Sequence, residues 1–269
     1  MKNYFCIFIA VIILLLIYMR IEAGLVEIKR VEFTKSKKCL KLLHISDIHI
    51  GLLRVPVKKI KNIIENEEPD IIIMTGDYIE RPAQVPEFIQ FLECVKGSFR
   101  VFLCFGNHDY KAFNKDKNKV AGFIRAIERT GAQVLHNRSV CVEFHNKKYN
   151  IIGIEDNNAG KPDIESALGK NPGDIHMNIA FSHNPDIVLK IPRNKVDYLF
   201  CGHFHGGQIW TPFGLEFKIL RRDELCKMGI RKGLHKINGI NLYINRGLGN
   251  VIFPLRFFSR PEIAVYYLP

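Results

Sequence analysis

The chain is expected to fold as an α/β protein, and three features of its sequence point that way. From Leu40 to Arg129, short apolar runs alternate with longer amphipathic ones, the rhythm of strands joined by covering helices. One run, Ile71-Ile72-Ile73-Met74-Thr75, is apolar at every position but the last, as suits a parallel strand buried on both faces. Apolar residues make up 47% and charged residues 25% of 269 positions, enough for one large core.

Taken in order, residues 4–19 form an unbroken apolar run between Lys2 and Arg20. It is slightly shorter than the roughly 20 residues that span a bilayer comfortably. No small-x-small cleavage site follows it, which favours an uncleaved anchor over a signal peptide. One lysine precedes the run, while Arg20, Lys29, Arg30, Lys35, Lys37 and Lys38 follow it. By the positive-inside bias, the remainder should face the cytoplasm from the inner membrane. Residues 1–39 are therefore assigned to an anchor and a basic juxtamembrane segment, and residues 40–269 to one domain.

Within that domain, 40–46 reads as a strand and 56–66 as a helix with Val57, Ile60, Ile63 and Ile64 on one face. A strand follows at 71–75, a helix at 85–95 and a strand at 100–105. Residues 111–119 read as a charged loop and 120–129 as a helix ended by Gly131. Beyond about residue 132 the pattern is strand-rich, with strands expected at 134–135, 139–144, 149–154, 177–182, 196–201, 241–245 and 263–267. The rhythm of the first half predicts a mostly parallel sheet with helices over it.

The formal net charge of +12 suggests an anionic partner: nucleic acid, a membrane surface or a phosphorylated substrate. Seven cysteines show no CxxC spacing, and Cys104 and Cys201 lie within apolar runs. They read as reduced core thiols in a reducing compartment.

The chemistry gathers at the ends of the strands. The first ends in Ser46-Asp47-Ile48-His49, the second in Gly76-Asp77-Tyr78, the third in Gly106-Asn107-His108-Asp109. Later strands end in Ser182-His183-Asn184-Pro185 and Gly202-His203-Phe204-His205. Open α/β sheets build sites beyond the carboxyl ends of their strands. Carboxylate, amide and imidazole donors together suit divalent ions such as Mn²⁺, Fe²⁺ or Zn²⁺. Without a cysteine among them, a structural zinc site is not expected. His44, inside a strand, reads as a core histidine. His136, His145, His176 and His235 read as surface or turn residues, and Asp70 as a turn residue. Asp156, Asn157 and Asn158 could line a cleft or merely shape a turn.

The five blocks, D-x-H, GD, GNHD, H and GHxH in this order, resemble the signature of the calcineurin-like metallophosphoesterases. The resemblance implies a four-layer α/β/β/α sandwich, here with an N-terminal membrane anchor helix, and two divalent metal ions. One ion would take Asp47, His49 and His205; the other would take Asn107, His183 and His203; Asp77 would bridge both. A hydroxide between the ions would attack phosphorus. His108 would stand beside the scissile phosphate as a catalytic non-ligand, held and polarised by Asp109. Gly206-Gly207-Gln208-Ile209-Trp210, Ser182 to Asp186, Asn245 to Gly249 and the stretch from Pro254 to Ile263 resemble one bacterial branch. That branch contains membrane-associated phosphodiesterases and a UDP-2,3-diacylglucosamine pyrophosphatase of lipid A synthesis.

The expected activity is hydrolysis of a lipid-linked phosphodiester or pyrophosphate. A nuclease or cyclic-nucleotide phosphodiesterase is the alternative on the same metals. The anchor and the lack of an aromatic stacking array argue against a nucleic-acid partner, and a scaffold that had lost its chemistry would not keep every ligand. Arg221, Arg222 and Arg256 are candidates to grip phosphate. Their neighbours Phe213, Leu215, Phe217, Ile219, Ile252, Phe253 and Phe257 would either receive acyl chains and touch the bilayer or belong to the core.

Overall fold

A computed structural model describes residues 2–169 and 174–269. Two six-stranded sheets pack face to face, with helices over both outer surfaces. The helix α1 (Lys2–Glu22) leads into a sheet built from β1 (Glu27–Glu32), β2 (Leu40–Ser46), β3 (Ile71–Thr75), β4 (Arg100–Cys104), β5 (Gln133–Val134) and the late strand β12 (Glu262–Leu268). Its order is β1-β12-β2-β3-β4-β5. The second sheet contains β6 (Arg138–Phe144), β7 (Lys147–Gly153), β8 (Ile175–Phe181), β9 (Tyr198–Cys201), β10 (Gly233–Ile237) and β11 (Ile240–Ile244). Its order is β10-β11-β9-β8-β7-β6.

Helices α2 (Val57–Glu67), α3 (Val85–Lys96) and α5 (Lys117–Arg129) cover the first sheet, with the short α4 (Asn107–Ala112) between the last two in sequence. Helix α2 turns Ile60, Ile63 and Ile64 inward, the i, i+3, i+4 spacing of one helical face. The Asp116 carboxylate caps α5 by accepting from the Asn118 and Lys119 amides. The second sheet is covered by α6 (Ile164–Leu168), α7 (Leu215–Leu220), α8 (Glu224–Lys227) and nearby turns.

Strand β2 shows how sequence alternation builds the layers. Leu43 and Ile45 face the helices, while Leu40 and Leu42 face the other sheet. His44 shares this inner face, with Nδ1 3.0 Å from the Tyr266 hydroxyl and Nε2 2.7 Å from the Thr75 hydroxyl. Burial pushes it down to about 3, so it stays neutral: a core histidine, as expected.

Two expectations need correction. Residues 27–32 are not juxtamembrane linker: they form the edge strand β1, paired in parallel with β12 from Glu27↔Glu262 to Glu32↔Tyr267. A half-exposed edge strand needs few apolar residues, so Glu-Ile-Lys-Arg-Val-Glu passes for a basic tether. The first sheet is mostly parallel, as expected, with β12 alone running antiparallel to its neighbour β2, while the second sheet has antiparallel pairs at β6–β7 and β10–β11. The stretch 111–119 is partly helical, since α4 runs to Ala112 and α5 starts at Lys117.

Candidate metal centre

Strands β2, β3 and β4 run parallel in one sheet, as do β7, β8 and β9 in the other. Their carboxyl ends meet along one edge of the sandwich. Asp47 follows β2, Asp77 follows β3, Asn107 opens α4 just after β4, His183 lies beyond β8, and His203 and His205 lie beyond β9. The sheets approach so closely here that a Cβ on Gly202 would stand 1.7 Å from Ser46 Oγ and 2.3 Å from Asp47 Oδ2. Both Asp47 carboxylate oxygens accept from the His203 amide across this seam, at 3.1 Å each. Gly202→Ala should displace Asp47 and weaken metal affinity about tenfold or more, by analogy with loss of an orienting contact. Titration calorimetry of the folded variant checks this.

The backbone is unusual at this edge. Asp47 (φ 49°), His49 (φ 40°), Asp77 (φ 55°), His203 (φ 73°) and His205 (φ 52°) all lie in the left-handed region. Non-glycine residues enter it at a cost, and clusters of them mark places where side-chain direction matters more than local stability.

The side chains converge as two groups. In the first, His49 Nε2 lies 3.2 Å from His205 Nε2, which lies 3.3 Å from Asp47 Oδ1. In the second, His183 Nε2 lies 3.1 Å from Asp77 Oδ2 and 3.0 Å from His203 Nδ1. Asp77 Oδ2 is also 3.8 Å from His49 Nε2, which sets it between the groups. Two ligands bound about 2.1 Å from one ion at right angles stand about 3 Å apart, so the spacing suits a shared cation. Among the described residues, Asn107 Oδ1 is buried without a hydrogen-bond partner, as an acceptor reserved for a cation would be.

Three of the four outer nitrogens are engaged. His183 Nδ1 donates to the Thr75 carbonyl at 2.9 Å, leaving the Nε2 lone pair facing inward. His49 Nδ1 donates to Glu80 at 2.6 Å, again freeing Nε2. His203 turns Nε2 toward Asp223 Oδ1 at 3.5 Å and Nδ1 toward His183. His205 Nδ1 is unpartnered. Burial lowers both His203 and His205, the latter far below the ordinary range with His49 adding to the effect, so both offer neutral imidazoles. Burial opposes a charge on His183 as well, yet Asp77 and then Asp47 outweigh it and push this imidazole up to about 10. That field favours a cation.

His108 lies at the cavity wall beside this edge, and its partner is not the expected one. The Asp109 carboxylate accepts from the amides of Asp77, Tyr78, Ile79 and Gly106, at 2.8–3.2 Å. Burial and the Asp77 charge push Asp109 up to about 7 against those donors. It braces the two ligand loops and has no free oxygen for His108. The residue that holds His108 is Glu80, whose Oε2 accepts from Nδ1 at 2.6 Å while its Oε1 accepts from His49. Glu80, His49 and His108 also lie close enough to count as a cation-binding group, but these short contacts are those of hydrogen bonds. Its position three residues beyond Asp77, in the same loop, was the available signal.

Arg221, a phosphate candidate from its sequence context, reaches the same centre beside Asp223, which had no such signal. Arg221 Nη1 lies 3.2 Å from His203 Nε2, its Nη2 donates to the His203 carbonyl at 2.6 Å, and Asp223 faces the same ring. Asn184 and Asp186 tie this segment down, through Asp223 Oδ1 and the Glu224 and Leu225 amides. Arg256, by contrast, is fully buried and donates to the carbonyls of Ser259, Arg246, Gly247 and Gly249. It holds a loop and is closed to substrate. Asp156 shapes a turn by accepting from the Asn158 and Ala159 amides, while Asn158 reaches the cavity.

These features define a metal-dependent phosphoesterase fold with Asp and His residues clustered to suit a dinuclear divalent site. A family model for the calcineurin-like phosphoesterases matches residues 40–207, more than half of the chain. The chain belongs to that family. It is 29% identical over 251 residues to the uncharacterized metallophosphoesterase YkoQ of Bacillus subtilis, covering 92% of this chain and 90% of that protein. It is 27% identical over 250 residues to the phosphodiesterase YaeI of Escherichia coli, covering 89% and 86% respectively. It is 28% identical over 309 aligned residues to the UDP-2,3-diacylglucosamine pyrophosphatase LpxG of Chlamydia muridarum, covering 91% and 90%. The protein is thus a hydrolase of phosphoester bonds.

Proposed function

We propose that the protein is a membrane-associated phosphodiesterase or pyrophosphatase acting on a lipid-linked substrate of the UDP-2,3-diacylglucosamine type, with α1 as its anchor and the catalytic domain in the cytoplasm. The observation that carries this reading is the cavity of about 1100 Å³ above the metal centre. Its charged lining sets the basic Lys111, Lys115, Arg221 and Arg222 beside the acidic Asp77, Asp186, Glu216 and Asp223, and its apolar lining includes Leu215, Ile219, Ile252 and Phe253. Ile252 and Phe253 are 74% and 63% exposed, so they are not core residues. The basic side chains suit a diphosphate and the apolar ones suit acyl chains. LpxG has a substrate of that chemistry by name.

In this reading Asp47, His49 and His205 would hold one divalent ion, and Asn107, His183 and His203 would hold the other, with Asp77 between the two groups. Such a pair supplies Lewis acidity and a water acidic enough to be nucleophilic at neutral pH. His108 donates a proton from Nε2 toward the leaving oxygen, and Glu80 fixes its ring by accepting from Nδ1. Arg221 and Lys111 take phosphate oxygens. The domain covers the remainder of the chain after the anchor.

Purified protein with added Mn²⁺ should hydrolyse UDP-2,3-diacylglucosamine faster than bis-p-nitrophenyl phosphate or a cyclic nucleotide. Brisk cyclic-nucleotide cleavage with only background turnover of the lipid would replace this reading with that of a general phosphodiesterase.

A further inference from the structure

The anchor helix does not hang from the domain; it is joined to the segment 256–259, which follows the cavity-lining residues 251–253. The Met19 carbonyl accepts from the Arg256 amide at 3.1 Å. The buried Glu22 carboxylate accepts from the amides of Phe258 and Ser259 at 3.1 and 3.0 Å. Ser259 in turn donates from Oγ to the His205 carbonyl at 3.0 Å. The last turn of α1 and a candidate metal ligand are therefore one side chain apart.

An apolar surface continues outward from this joint. The Tyr18 ring contacts Phe257 and Phe258 edge-on or tilted, with centroids at 6.0 and 6.5 Å, and Trp210 meets Phe258 edge-on at 6.0 Å. Gln208 bonds the backbone at Val251 and Phe253, which binds the 208–210 segment to the cavity lip. Trp210, Ile252, Phe253 and Phe258 are 47%, 74%, 63% and 60% exposed. Isolated exposed apolar residues are ordinary, but a connected set beside an opening marks an interaction surface. What covers it follows from its continuity with α1, whose residues Tyr4–Glu22 have a mean hydropathy of 2.6 with only 6% buried. Arg20, Arg54 and Arg260 stand exposed around the same junction, Arg260 bonding the Leu25 carbonyl. Arginines at the end of an apolar helix suit the headgroup layer.

We propose that the lip formed by Trp210, Ile252, Phe253 and Phe258 docks into the lipid bilayer beside α1, so that the cavity opens onto the membrane and takes amphiphilic substrate directly from it. The proposal rests on α1 being a membrane anchor and deepens the lipid-substrate reading. A flexible tether would let the cavity face any direction; three hydrogen bonds, one to the Met19 carbonyl and two to the Glu22 carboxylate, give it one.

Trp210 is the only tryptophan in the chain, so intrinsic fluorescence reports the lip alone. The full chain is reconstituted into phosphatidylcholine–phosphatidylglycerol vesicles, with and without lipid brominated at shallow acyl positions. Expected are a blue shift relative to unfolded protein, strong quenching by the brominated lipid and weak quenching by aqueous iodide. Phe258→Ser should reduce the bromolipid quenching and leave hydrolysis of soluble bis-p-nitrophenyl phosphate unchanged. Iodide quenching as strong as for free tryptophan, with no bromolipid effect, overturns the proposal. Bromolipid quenching without lipid-phosphoester hydrolysis upholds the docking and removes the substrate reading instead.

Discussion

Asp77→Asn should lower phosphodiester hydrolysis by about 10³-fold, the upper range for losing one preorganised electrostatic group, and should cost the protein one of its metal ions. Among the described residues, Asp77 is the one carboxylate that faces both groups of imidazoles, at 3.1 Å from His183 and 3.8 Å from His49. Burial alone would raise it, but His183, His108 and His49 outweigh burial and hold it far below the ordinary carboxylate range. It is an anion at working pH. Asparagine keeps the shape, and its carbonyl can still accept from the His108 amide, now at 2.8 Å from Oδ1. It brings no charge, however, so two cations close together would repel without compensation. Metal content by plasma emission, with circular dichroism as the control for folding, separates this from simple unfolding. A folded variant retaining both ions and full activity would refute the bridging role.

Glu80→Gln is expected to act on the pH profile as well as on the rate. Burial lowers the His108 pKa, but the hydrogen bond to Glu80 and the charges of Asp77 and Glu80 more than reverse this, so the net shift is upward. Glu80 itself is pushed down to about 2: burial raises it, and its bonds to His108 and His49 overcome that effect. The sign follows from the proton. A histidine that must donate is active while protonated, and a raised pKa keeps it so to higher pH. Removing the Glu80 charge takes that support away, so the alkaline limb of kcat should move to lower pH. The maximal rate should fall by about 10²-fold, the lower range for a positioned acid. Part of that loss comes through His49, which also donates to Glu80. Rate–pH curves on a soluble phosphodiester for both proteins decide it; an unmoved alkaline limb would mean that His108 does not act as the acid.

The sequence was most informative where chemistry and periodicity coincide. Asp47, Asp77, Asn107, His183, His203 and His205 each follow an apolar run, and a strand end in an α/β fold has one direction to face. Their convergence could be read before any coordinates because parallel strands deliver their carboxyl ends to one edge. Asp109 was misread because adjacency to His108 suggested contact, whereas four amides claim its oxygens. Arg256 was misread for the opposite reason. An arginine among exposed Ile252 and Phe253 looks like a phosphate ligand, but its guanidinium satisfies carbonyls within the fold.

By itself, then, the order of residues settled the α/β class, the strand-end placement of the ligand types and the apolar character of the N-terminal helix. Those are properties of local period and residue chemistry. Tertiary structure alone decided that Glu80 rather than Asp109 holds His108, that residues 27–32 complete a sheet, and that α1 is joined through Glu22 to the segment following the cavity lip. Each of these depends on a contact between segments that the chain keeps apart, or on which oxygen is already satisfied. Such choices are made by packing and hydrogen-bond competition in three dimensions.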